Sequence, residues 1–196
     1  MIDLLLEGIG SLRFGCTIAF ILPALGPLVA AGRRAWVPAV GFPLIAAVVG
    51  WARFGGWWFD AAPQWALVVA ALIAVATVVQ MVRADTIGWV GGATIVAAVV
   101  AAWLWVPCVG EHFSEPLNNT SREPLLSLVQ VVVYVTGIGV PLFALAALPV
   151  AAPGLTRLRD HRASAAVGIA ITALVALTIA TGLYSDLVER LTPSAG

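Results

Sequence analysis

The chain has 196 residues, of which 61% are hydrophobic and only 10% charged. No soluble core can bury that share of apolar sequence, so the surrounding solvent is lipid. The net charge is zero and the ten basic residues are all arginine, so no basic field points to nucleic acid.

The N-terminus carries Asp3 and Glu7 in place of a basic leader region, and so does not read as a cleaved signal peptide. Its apolar run is expected to pass straight into a first spanning helix. About 20 apolar residues cross the hydrocarbon core, and six stretches qualify. They run from Leu12 to Ala31, Trp36 to Trp51, Trp65 to Val82, Ile87 to Cys108, Leu125 to Pro149 and Ala165 to Tyr184. The second is short and reads as interrupted by Pro38 and Pro43. The expected fold is all-α: a single polytopic membrane domain over residues 1–196, with no soluble appendage.

Charge sets the expected orientation. The connections after the first, third and fifth spans hold Arg33, Arg34, Arg83, Arg157, Arg159 and Arg162, against Asp85 and Asp160. The other side holds most of the acids. Positive residues stay in the cytoplasm, so both termini are expected outside, in a multi-pass protein of the cell membrane. Trp51, Trp57, Trp58, Trp65, Trp103 and Trp105 then fall near the outer interface, where an amphipathic ring is at home. The stretch "FGGWWFDAAPQW" reads as an outer loop on the headgroups, or as a patch for docking a partner.

Pro23 and Pro27 fall mid-membrane in the first span, and "TGIGVP" (Thr136 to Pro141) in the fifth. Proline removes a backbone hydrogen bond. In lipid the freed carbonyl needs another partner, so broken helices mark cavities or buried sites. Spans one, four and five are therefore expected to be proline-broken. "ILPALGPL" and "WVPCVGEH" both place a proline, a small residue and a glycine close together. They suggest a faint three-plus-three inverted repeat with halves 1–83 and 84–196.

Cys16 and Cys108 are the two cysteines, too few for a disulfide scaffold or a cysteine-based zinc site. A membrane cysteine ordinarily packs as a small hydrophobe. Cys108 differs, because Pro107 precedes it and the outer interface supplies water. His112 stands one turn on as a base or cation, whereas Glu111 and Glu115 oppose a thiolate. The same four residues are also a weak metal-ligand set or a solvated loop. No nucleotide or flavin motif is present, and no cofactor or metal is expected. "NNTS" contains a glycosylation-type sequon.

The chain resembles the CcdA/DsbD-type transmembrane thiol-disulfide transporters of cytochrome c maturation and extracytoplasmic reduction. "GWVGGATIVAAVVAAWLWVPCVG" looks like that family's fourth helix with its Pro-Cys-hydrophobic-Gly motif. "VYVTGIGVPLFALAAL" is similar to its fifth helix, and "AVGIAITALVALTIATGLYSDLVERL" to its last. The resemblance implies thiol-disulfide oxidoreductase activity. Electrons from cytoplasmic thioredoxin reduce a cysteine pair on helices 1 and 4. That pair reduces an extracytoplasmic thioredoxin-like partner.

The chain departs from the family twice. Ala24 stands where the helix 1 cysteine is expected, between Pro23 and Pro27, and the polar "EHFSEPLNNTSREP" follows the Pro-Cys motif. Only Pro107 and Cys108 carry over. Cys16 lies about 12 Å along a helix from Ala24, toward the outer face. Cys108 lies about 33 Å from Ile87, also near the outer face. The expected pair is therefore Cys16–Cys108, with Pro107, Pro23 and Pro27 shaping its site. Two other functions fit the same scaffold: a non-redox small-molecule or ion transporter, and an accessory subunit of a larger membrane-protein complex.

Overall fold

The computed structural model describes residues 1–13, 15–54, 64–104, 122–151, 161–184, 186 and 190. Their secondary structure is helical throughout. Helices α1 (Ile2–Gly10), α2 (Gly15–Ala30), α3 (Trp36–Phe54), α4 (Gln64–Ala84) and α5 (Ile87–Leu104) are followed by α6 (Pro124–Ile138), α7 (Val140–Ala151) and α8 (His161–Ala180). Among the described residues four helices are long and apolar enough to cross a membrane, and two bent pairs, α1 with α2 and α6 with α7, reach that length together.

Side-chain contacts at the helix ends define an up-and-down bundle. At one end Arg34, in the 3-10 turn after α2, meets Asp85, in the connection between α4 and α5. Ser164, in the first turn of α8, approaches Gly32 of the same 3-10 turn. At the other end Arg53 of α3 donates to the carbonyls of Ala102 and Trp103 at 2.8 and 2.6 Å. These are carbonyls of the last turn of α5, and a cation is favoured at that helix end. Gln64 of α4 donates to the Ile179 carbonyl of α8, and Trp51 of α3 to the Ser127 hydroxyl of α6.

The N-terminal run does not continue into the first span, which corrects the reading from sequence. Ile2–Arg13 meets Thr17–Ala30 at 90°. Gly8 and Gly10 weaken the helix there, and the Ser11 hydroxyl donates to the Gly8 carbonyl at 2.7 Å, a local alternative to the helical ladder. Gly8 also lets α1 approach the backbone of α6. The Cα of Gly137 lies 3.1 Å from the point where a Cβ on Gly8 would sit.

The expectation of a proline-broken first span is likewise corrected. Helix α2 runs unbroken through Pro23 and Pro27. Pro23 leaves the Ala19 carbonyl without its helical N–H. The Tyr184 hydroxyl, beyond the end of α8, donates to that oxygen at 2.6 Å. The lost bond is replaced from another part of the chain, and the helix has no cause to open.

Helix α3 is also continuous through Pro38 and Pro43, and it reaches Phe54 rather than ending at Trp51. Pro38 is its third residue, where the amide has no helical acceptor in any case. Pro43 is fully buried and packs toward Gly139, whose added Cβ would lie 3.1 Å from the proline ring. The break in the fifth span is present: α6 and α7 meet at Gly139 with a 48° bend. The break expected in the fourth span falls at Pro107, outside the described residues.

The buried core sets a few large side chains among many alanines. A central cluster joins Phe20 and Ala24 of α2, Phe42 of α3, Ala98 of α5 and Tyr134 of α6. Buried hydroxyls are satisfied within their own helices: Thr94 and Thr172 donate to the carbonyls of Val90 and Gly168. In lipid no water is at hand to do this.

Candidate functional site

The start of α2 and the end of α5 lie at the bundle end opposite Arg34 and Asp85. Cys16 lies in the first turn of α2, and its side chain is outside the described residues. One turn further, Ala19 is buried in an apolar cluster with Ala71, Val100, Ile179 and Tyr184. Leu104, the last residue of α5, packs against the same cluster. Pro107 and Cys108 follow Leu104 in the sequence and lie outside the described residues, as do Glu111, His112 and Glu115. The start of α2 and the end of α5 therefore meet around one cluster.

Two contacts fix this region. The Tyr184 hydroxyl holds Ala19, one turn from Cys16. Arg53 holds the last turn of α5 through Ala102 and Trp103. Neither residue stood out in the sequence. Tyr184 matters through a carbonyl 165 positions away, and no local spacing reveals that partnership. Arg53 does carry a signal, as a charge at the end of an apolar span.

Ala24, where the sequence reading expected a cysteine, is 1% exposed and sits in the central cluster. It is two turns deeper than Cys16. A thiol there would be sealed among apolar side chains, where its ionised form is disfavoured.

Pro23 and Pro27 share a different setting. Both line a cavity of about 20 Å³ between α2, α4, α5 and α8, with Ala74, Ala93, Ala97 and Thr172 among its other walls. That is room for about one water. The lining is apolar apart from Thr172, whose hydroxyl already donates within its helix. The prolines thus mark a cavity without breaking their helix.

Among the described residues no group of three or more His, Cys, Asp or Glu side chains is arranged to hold a metal ion. No protein-family model, curated protein or solved structure matches the chain.

Proposed function

We propose that the chain is a multi-pass membrane protein that exchanges disulfides with an extracytoplasmic thioredoxin-like or cytochrome-maturation partner. Its arginine-bearing loops face the cytoplasm and both termini lie outside. Cys108 is the attacking thiol and Cys16 the resolving one. The reading is supported by one observation above the rest. Ala19, a turn beyond Cys16, and Leu104, four residues before Cys108, belong to a single apolar cluster. Pro-Cys at 107–108 supplies the chemical resemblance.

The exchange balances without a cofactor. The Cys108 thiolate attacks the partner's disulfide, forming a mixed disulfide and releasing one partner thiolate. The Cys16 thiolate then attacks the Cys108 sulfur, which releases the reduced partner and leaves a Cys16–Cys108 disulfide. Two electrons and two protons pass to the partner. Re-reduction of the pair by a cytoplasmic dithiol, as the resemblance implies, closes the cycle.

A non-redox small-molecule or ion transporter on the same scaffold is the second reading, favoured by the cavity at Pro23 and Pro27. Single substitutions separate the two. Cys108→Ser abolishes reduction of an oxidised thioredoxin-fold probe by the purified, pre-reduced chain. Cys16→Ser traps a mixed disulfide with that probe. Full reduction by the Cys108→Ser chain contradicts the redox reading.

A further inference from the structure

We propose that the Arg34–Asp85 pair is a latch, holding shut the arginine-bearing end of the small apolar cavity in the bundle. The inference depends on the chain spanning the membrane, and on nothing in the thiol chemistry.

The cavity lies between two apolar seals. Toward the arginine-bearing end Ala30, Val78, Met81, Val90 and Ala93 close together, with Ile169 of α8 packed against them. Toward the other end the seal is the cluster of Ala19, Ala71, Val100, Ile179 and Tyr184. Ala93 of the first seal and Ala71, Val100 and Ile179 of the second all line the cavity. The route from this space to either bundle end passes through one of these clusters.

Each seal has a fastener. The far one is held by Tyr184 on Ala19 and Gln64 on Ile179, both within or beside its cluster. The near one is spanned by Arg34. Its Nη1 donates to the Asp85 carboxylate at 2.9 Å and to the Asp85 main-chain carbonyl at 2.5 Å. One arginine on the α2–α3 turn thereby holds the α4–α5 connection, at the C-terminal end of α4, where a cation is favoured.

Both linked turns contain a left-handed residue. Gly32 has φ +54° and Asp85 has φ +45°, so each linker turns on one left-handed residue. Aspartate is among the few side chains tolerated there. Segments that absorb large dihedral changes are where helices swing apart. The side chains of Arg34 and Asp85 are 37% and 67% exposed, so water and salt reach the pair. An exposed pair of this kind is weak enough to break in a working cycle.

The test uses the full chain with both native cysteines replaced by serine and Ala93→Cys added. The chain is placed in vesicles and treated with a membrane-impermeant maleimide from the arginine-bearing face. Labelling of the parent is slow. Arg34→Gln and Asp85→Asn raise the rate about tenfold, since labelling follows the open fraction. Arg34→Lys preserves the charge and stays within about twofold of the parent. Salt at about 1 M speeds the parent toward the Arg34→Gln rate, because added salt weakens an exposed ion pair. Equal rates in the parent, Arg34→Gln and Asp85→Asn overturn the proposal. So does an equal acceleration when the reagent acts from the opposite face, which signals general loosening. Neither result bears on whether Cys108→Ser loses disulfide exchange, so the two proposals fail separately.

Discussion

The Tyr184 hydroxyl donates to the Ala19 carbonyl, the acceptor that Pro23 leaves without a helical partner. This links the segment just beyond α8 to the start of α2, which carries Cys16. The bond is buried, with Tyr184 at 3% exposure. Tyr184→Phe leaves that carbonyl orphaned in an apolar setting and is predicted to cost about 1–2 kcal/mol. Pro23→Ala restores a helical N–H to Ala19, so Tyr184→Phe costs less in that background. A double-mutant cycle on unfolding free energy measures the difference. Additive effects contradict the account.

Gly168 fixes the crossing of α2 and α8. A Cβ placed there would lie 2.6 Å from the Ala30 amide nitrogen and 2.7 Å from the Gly26 carbonyl oxygen. Both obstacles are backbone and cannot turn aside. Gly168→Ala is predicted to destabilise by about 1–3 kcal/mol or more, by forcing the helices apart. Gly91→Ala meets nothing within 4 Å and is predicted to be neutral or stabilising by about 0.5–1 kcal/mol. Thermal unfolding in one detergent compares them.

Arg53 joins the end of α3 to the end of α5. Arg53→Met removes both bonds from Nη1 to the Ala102 and Trp103 carbonyls. The predicted cost is about 2 kcal/mol, because the bonds are charge-assisted but only partly buried. Hydrogen exchange reads it locally: amides in the last turn of α5 lose protection, while those near Val90 keep theirs.

Helix α6 bends into α7 where Gly139 meets Pro43. Gly139→Val places a branched side chain 3.1 Å from the proline ring. It is predicted to lower the unfolding temperature, and pairing it with Pro43→Ala recovers part of the loss. A loss unaffected by Pro43→Ala contradicts this contact as the cause.

The helices were legible because their signal is local: length, apolarity and charge at the ends. The expected start of the third span at Trp65 differs by one residue from the observed Gln64. The prolines were misread as breaks because what rescues a freed carbonyl is distant in sequence, as Tyr184 is for Ala19. Their link to a cavity was legible, since both Pro23 and Pro27 line one. The turn at Ser11 was missed because Gly8, Gly10 and Ser11 are small residues inside an apolar run, and apolarity alone hides a bend. Ala24, read as the departure from the family motif, lies in the packed core. Pro107 and Cys108 fall outside the described residues, so their part of the site rests on sequence.

The central claim is that Cys16 and Cys108 form one dithiol. Oxidation of the purified chain, followed by alkylation of free thiols and non-reducing peptide mapping by mass spectrometry, tests it most directly. The account predicts a single peptide pair joined by a Cys16–Cys108 disulfide that disappears on reduction. Both cysteines alkylated after oxidation would contradict it.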